Sequence, residues 1–517
     1  MRLRQEWIGL RTLIEFPGTR EAVGRPAKKH PALVLLAILA VYAALSVGVG
    51  LAKIPICDEG WYADPAQNLI HHGNMGSPVI ESAGGFLNGI EKKTYWIMPL
   101  HILSQAAWYR FFGASLFSLR MLSFCAGLAG LLCWWFAVGK LAGNRGVAAW
   151  AAALMAIDTS FLLAAGTGRS DMLSLAFGIA AQASYLALRE SRLPAATLVA
   201  HAFVVASGLT HPNGGLVAFA SLAALQFQLD RKRIRVPCLA LAAVPYFAGA
   251  VAWGSYIAQA PDLFAAQFSG NSGERLWPWK MPLVALKREI LERYIGGYTM
   301  GSAWSRLADL RLLILAGYLA GLIGVISIPS LRRCTLGRLA LTQTGVIAAI
   351  LLFFEGAKQP WYLIYLVPPF TAMLALSIRR LRSAQPARRM LAAAIAAFVM
   401  LQIAYPALLI VQNKYRRTYL PLIFEIDRSH ADGFTVMGTA ELGFGLGFDS
   451  VIDDYRLGFL TGKRPEYIVI DPRYRSYLEQ SRASRPEFYQ YAEQLLSSRY
   501  RESYSNGFYT LYAQQPR

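Results

Sequence analysis

Charge is scarce in this chain. Only 16% of its 517 residues are Asp, Glu, Lys or Arg, against 55% hydrophobic, and the mean hydropathy is +0.35. Soluble globular domains carry roughly a quarter charged residues, so a soluble globule is excluded. Cysteine is scarce as well. The five are scattered, and only Cys57 falls in a segment expected outside the cytoplasm, so no disulfide framework is implied. Dinucleotide and P-loop signatures are missing: GTAELGFGLGF (438–448) is Gly-rich but lacks the G-x-G-x-x-G spacing, and no nucleotide cofactor is expected. Solenoid repeats and low-complexity linkers are absent too.

Acid is scarcer than base, and the net charge is +20. That balance alone would suit a nucleic-acid binder, but the basic residues cluster in short loops between apolar runs, as membrane topology signals do. No nucleic-acid partner is expected.

What is present is a series of apolar runs near 31–52, 115–139, 147–165, 171–188, 194–209, 213–229, 237–258, 310–330, 339–354, 361–378 and 390–411. Runs of about 18 residues or more span a bilayer, so we expect about eleven membrane helices. One set of connecting loops holds Lys140 and Arg145; Arg189 and Arg192; Arg231, Lys232, Arg233 and Arg235; Arg332, Arg333 and Arg338; and Arg379, Arg380, Arg382, Arg388 and Arg389. The opposite short loops hold only Arg169 and Lys358. The positive-inside rule then places the basic N-terminus (1–30) in the cytoplasm and the C-terminus outside. The first run lacks a small-x-small cleavage site and reads as an uncleaved span.

The same parity decides 94–112, TYWIMPLHILSQAAWYRFF. A span there would invert every later loop. We read an amphipathic helix at the outer interface, with Trp96, Trp108 and Tyr109 at headgroup level. The chain thus divides into a transmembrane domain over 31–411, with a first outer loop at 53–114 and a long outer loop at 259–308, and a small extracytoplasmic α/β domain over 412–517. In the latter, TVMGT, SVIDD and EYIVIDP read as strands, RPEFYQYAEQLLSSRY as a helix, and Ser505-Asn506-Gly507 as a hairpin turn.

The outer side holds the residues that could carry chemistry. Asp58 and Glu59, in CDEGWY, directly follow the first span, where acid against hydrocarbon is costly. Asp58 is the candidate general base, and an N-cap is its structural alternative. Asp171, in GTGRSDMLSL, could orient an acceptor, pair with Arg169 or cap its helix. Lys92, Arg169 and Lys358 suit an anion at the membrane surface, a lipid phosphate being the obvious one. Glu91, with Glu59 or His211, could ligate a divalent cation. His211 has a packing role as its alternative, and His201, inside a span, reads as structural.

The ordered set EKKTYWIMPLHIL, FFGASLFSLRMLS, GRSDMLSL, LTHPNGGL and KQPWYLIYLVPP, behind the first-loop acids, resembles the integral-membrane glycosyltransferases of the C-type fold, over roughly residues 30–375. The similarity is greatest to the bacterial protein O-mannosyltransferase-like and lipid A aminoarabinose transferase-like group. The resemblance implies transfer of a sugar from a polyprenyl-phosphate carrier to an acceptor outside the cytoplasm. Asp58 then matches the first-loop base, Glu91 a metal-associated acid, Lys92 a donor-phosphate contact and Asp171 the acid after the third span. Lys358 with Tyr362 matches the late Lys-x-x-x-Tyr segment near the donor. This chain departs from the pattern at Lys92-Lys93-Thr94, where the family often has Lys-Pro-Pro, and at His211-Pro212, where it commonly has Lys-Gly.

We therefore expect a multi-pass bacterial inner-membrane glycosyltransferase. A lipid, polysaccharide or protein hydroxyl is its acceptor, membrane lipids surround it, and inversion at the anomeric carbon is its outcome. A transporter or flippase for lipid-linked sugars is the alternative. It fits less well, because the acids and cations gather at one face rather than at the midplane.

Overall fold

The structure is a computed structural model that describes residues 31–299, 305–382, 388–428 and 433–515. The tail expected over 1–30 lies outside these residues. Among the described residues nine helical stretches are long and apolar enough to cross a membrane: Pro31–Ala52, Leu116–Ala142, Ser170–Leu188, Leu193–Thr210, Val236–Ile257, Asp309–Ser327, Thr335–Phe354, Pro360–Arg382 and Arg389–Arg428. The chain is a polytopic helical membrane protein with a small sheet near its C-terminus.

Two of the eleven expected spans come out differently. The run 147–165 is two helices, Arg145–Ile157 and Thr159–Ala165, bent by 61° at Asp158. Asp158 caps the second piece through Phe161 N–H (2.9 Å) and accepts from Tyr318 Oη (2.7 Å) and Gln402 Nε2 (3.2 Å), so the break leaves no bare carboxylate. The run 213–229 does form a helix, Pro212–Asp230. Its Asn213, Gln226, Gln228 and Asp230 make it too polar to count as a span by composition.

The spans are apolar on all sides, as helices between protein and lipid are. Val236–Ile257 turns Leu239, Val244, Phe247 and Val251 outward. Inside the bundle, Tyr42, Trp134, Phe161 and Tyr185 share one core. The polar tips of two of them are satisfied, Tyr42 Oη on the Phe124 carbonyl (2.9 Å) and Trp134 Nε1 on Thr371 Oγ1 (3.3 Å).

The segment 94–112 contains the helix Pro99–Phe112. At 1.5 Å per residue its 14 residues reach roughly 21 Å, short of a bilayer core of about 30 Å. Trp96 and Trp108 are half-buried, whereas Tyr109, expected at headgroup level, is only 3% exposed and belongs to the core. Phe111 and Phe112 are the exposed aromatics instead. The loop read over 259–308 is largely helical, with Pro261–Leu276 its longest described element.

Near the C-terminus, β1 (Val436–Met437), β2 (Val451–Ile452), β3 (Tyr467–Ile470), β4 (Tyr500–Ser505) and β5 (Thr510–Gln514) form one sheet in the order β2-β1-β3-β5-β4. β1 runs parallel to β2 and β3, and β5 is antiparallel to β3 and β4. The helix Pro472–Ser484 was not expected. Its start signals are there, Asp471 as N-cap and Pro472 at the first position, but its apolar face is weak.

This unit is continuous with the first loop. Asp453 N–H donates to the Val79 carbonyl (2.7 Å) and Glu81 N–H to the Asp453 carbonyl (3.0 Å), which extends the sheet beyond β2. One core joins Ala63, Ile80 and Ile102 to Leu422, Val436 and Leu442. Gly60 is where the two backbones meet: a Cβ there would lie 2.4 Å from the Ala440 carbonyl carbon, closer than any side chain tolerates. The glycine in CDEGWY thus lets the C-terminal unit seat against the first loop.

Candidate active site

The helix Cys57–His72 begins at N-cap Ile56, and its first turn sends Asp58 and Glu59 in different directions. Glu59 turns inward and is fully buried. Its carboxylate accepts Arg120 Nε and Nη2 (2.7 Å each), Gly168 N–H (2.9 Å) and Ile56 N–H (3.1 Å). Burial alone would raise this acid. Arg120 and Lys53, with the Gly168 hydrogen bond, outweigh burial and hold Glu59 below the ordinary carboxylate range. Arg120 Nη1 also donates to the Gly50 and Lys53 carbonyls (2.7 and 2.9 Å), tying the end of the first span to the helix Leu116–Ala142.

Asp58 turns outward, into a cavity of about 710 Å³. Its wall carries Arg169, Arg275 and Arg473, with His211, Tyr362 and the aromatic rings of Trp61, Trp96 and Trp361. Arg169 pairs with Asp58 through Nη1 and with Asp171 Oδ2 through Nε (2.8 Å), and its guanidinium lies over Trp361 at 5.3 Å. Asp171 Oδ1 is 3.8 Å from His211 Nε2. His211 Nδ1 accepts Gly214 N–H (3.4 Å) and so caps the helix Pro212–Asp230, which leaves Nε2 as the donor to Tyr362 Oη (3.2 Å). Burial pushes His211 down to about 4, with Asp171 only partly opposing it, so the ring is neutral near pH 7. A line of contacts therefore runs Asp58–Arg169–Asp171–His211–Tyr362.

A second cavity of about 310 Å³ shares Arg169 and Trp361 with the first and also meets Asp171. Its walls combine Ala52, Leu163, Ala164 and Leu409 with the cations Lys53 and Lys414.

Of the residues singled out from sequence, Asp58, Arg169, His211 and Tyr362 line the large cavity, and Asp171 lies one contact behind it. Four do not reach either wall. Lys92 is exposed elsewhere on the first loop. Glu91 is exposed too, and its carboxylate accepts from Ser82 Oγ (3.2 Å). Glu59 is saturated by Arg120. Lys358 is fully buried. Its Nζ bonds Glu289 Oε2 (3.0 Å) and the Leu352 carbonyl (2.6 Å), inside a cluster where Arg293 also holds Glu289 (2.6 Å) and Glu355 (2.5 Å). Lys358 takes a positive φ of 53°, which turns its side chain back onto that cluster. These residues share a layer of the protein without sharing a site, because a loop read from sequence has no inside or outside.

Metal ligation by Glu59, Glu91 and His211 is not supported. The three do not converge, and among the described residues no group of three or more His, Cys, Asp or Glu could hold an ion.

Sequence reasoning passed over Arg275 and Arg473. Arg275 ends the helix Pro261–Leu276, with Nε held by Asn271 Oδ1 (2.9 Å), in a loop read only as a cover. Arg473 comes from the C-terminal unit, where Asp-Pro-Arg reads as no more than a helix start. Arg120 lies inside FFGASLFSLRMLS, where no local signal marks it.

No family model and no curated protein matches the chain. Solved structures do. ArnT from Cupriavidus metallidurans in the apo state superposes with a TM-score of 0.63 at 14% identity, covering 94% of this chain and all of that one. The same protein bound to undecaprenyl phosphate gives 0.59 at 15% identity, covering 95% and all, respectively. The oligosaccharyltransferase of Archaeoglobus fulgidus gives 0.53 at 14% identity over 92% of this chain and 70% of that one. The arrangement of bundle, first-loop helices and C-terminal unit is thus the C-type fold of membrane glycosyltransferases.

Proposed function

We propose that the chain is a glycosyltransferase that moves a sugar from a polyprenyl-phosphate carrier to an acceptor hydroxyl on the extracytoplasmic side. The observation that carries this reading is the large cavity itself, where one carboxylate, Asp58, stands among three arginines within this fold. A phosphate leaving group needs fixed cations, and Arg275 and Arg169 supply them beside the neutral His211 and the Tyr362 hydroxyl. The smaller cavity, mostly apolar with Lys53 and Lys414 in its wall, suits the carrier chain.

Asp58 takes the proton from the acceptor hydroxyl as that oxygen attacks the anomeric carbon. The bond from carbon to phosphate oxygen breaks, its electron pair stays on the phosphate, and the product is inverted. Arg169 holds and aims Asp58, and Asp171 in turn holds Arg169. Transport would call for an unsatisfied ionisable group at a broken helix. The acid at the break, Asp158, is fully hydrogen-bonded, which speaks against that alternative.

The decisive experiment offers the full-length protein in lipid a panel of polyprenyl-phosphate sugars with a crude envelope extract. Mass spectrometry then follows loss of donor and release of polyprenyl phosphate. Consumption of one donor by the wild type and of none by Asp58→Asn is the expected result. Equal consumption by both would remove Asp58 from the mechanism.

A further inference from the structure

Arg473 belongs to the C-terminal unit, yet it lines the same cavity as Arg169. Its guanidinium lies 4.6 Å from the Trp61 ring and 5.5 Å from that of Tyr455, one from the first loop and one from its own unit. Both rings are fixed from behind. Trp61 Nε1 donates to Asp453 Oδ2 (2.7 Å), Tyr474 Oη donates to Asp453 Oδ1 (3.1 Å), and Tyr455 stacks on Tyr474 at 4.5 Å. A guanidinium held between two aromatic faces has little freedom left. Its Nη1 contacts Cys57 Sγ and lies 3.6 Å from Asp58 Oδ1.

We propose that Arg473 is a positioning residue for Asp58: with Arg169 on the other side, it clamps the carboxylate, so that the C-terminal unit completes the active site. The proposal rests on Asp58 being the base. The groups facing Asp58 are Arg169 (itself paired with Asp171), Arg473 and the Cys57 thiol, while its neighbour Glu59 points away to Arg120. The groups facing Arg473 from its own side are Asp453, Glu441, Asp471 and Tyr455. Burial pushes Asp453 up to about 7, Glu441 well above its ordinary value and Asp471 upward.

Infrared difference titration of the full chain tests the clamp without needing substrate. Subtracting Asp58→Asn from wild type isolates the Asp58 carboxyl band, and the subtraction is repeated in Arg473→Gln and Arg473→Lys backgrounds. An opposite charge at this distance lowers a carboxyl by about one to three pH units. With Arg169 still present we expect half-protonation about one unit higher in Arg473→Gln, partly restored in Arg473→Lys. Coincident titrations of wild type and Arg473→Gln overturn the proposal. So does an equal rise in Lys463→Ala, which loosens the unit at its Glu81 contact, away from the cavity. Donor consumption by the wild type is read separately. If no donor is consumed but the titration moves, the transferase reading falls and the clamp stands; consumption with an unmoved titration has the opposite meaning.

Discussion

The seam beneath the first loop and the wall of the large cavity use the same materials, carboxylates and arginines, to opposite ends. In the seam Glu59 is buried and saturated by Arg120, and in a second buried cluster Lys358 and Arg293 pair with Glu289 and Glu355. On the wall, Asp58 is 23% exposed between Arg169 and Arg473, and Arg275 lines the same cavity. An ion pair removed from water must be complete or it destabilises the fold, so the seam is scaffold. A pair left facing a cavity can exchange partners with a ligand, and that is where chemistry is possible. Asp58 and Glu59 are chain neighbours, and a single helical turn assigns them to the two classes.

Breaking each side should give different losses. In the seam, Arg120→Ala strands the Glu59 charge and should cost about 3–5 kcal/mol, read as a lowered melting temperature and poor recovery of folded protein in detergent. On the wall, Asp58→Asn should leave melting and membrane insertion unchanged while slowing donor consumption by roughly 10²–10⁴, the usual contribution of a general base. If Asp58→Asn melted like Arg120→Ala, the division between scaffold and wall would be wrong.

A smaller contrast sharpens the same division among the cations. Arg275→Ala should weaken binding of polyprenyl phosphate, titrated by quenching of the cavity tryptophans, by about 10–100-fold, the value of a charge-assisted hydrogen bond or two. Lys358→Met should leave that affinity within about twofold and instead cost roughly 1–3 kcal/mol of stability through lost buried pairing, read as a lowered melting temperature. The reverse pattern would return Lys358 to the donor site.

The smallest effect is one of pH. Asp453, raised by burial to about 7, binds its proton more tightly folded than unfolded. The folded state therefore holds more protons between its unfolded value near 3.8 and about 7, and stability falls as pH rises through that window. Between pH 5 and 8 we expect a loss of roughly 1–3 kcal/mol from this group. Asp453→Asn should flatten the slope of melting temperature against pH, and a slope equal to wild type would show that Asp453 does not govern how the C-terminal unit sits.

Much of this was legible in the chain. Hydrophobic run length identified the spans, since a bilayer imposes nearly the same length on every helix that crosses it. Alternation and turn residues located the strands around Val436, Val451 and Tyr467 and the hairpin at Asn506-Gly507. The acid pair after the first span drew attention to Asp58. Polarity at a helix end was less legible: the break at Asp158 hides within a run that is otherwise apolar, and two partners from distant helices, Tyr318 and Gln402, satisfy it.

Composition and order along the chain thus determined a many-helix membrane protein with a small α/β unit and chemistry-bearing residues in the first loop. Those signals are local, set by water, lipid and the turn of one element. Only the tertiary structure decided which cations face the cavity. Lys92 and Lys358 were the obvious phosphate ligands by position, and packing placed one in solvent and buried the other against Glu289. Arg275 and Arg473 carry no local mark, and they reach the wall because a surface helix and a docked sheet bring them there. Burial and partnership are properties of what lies across from a residue, and no stretch of sequence contains its own opposite wall.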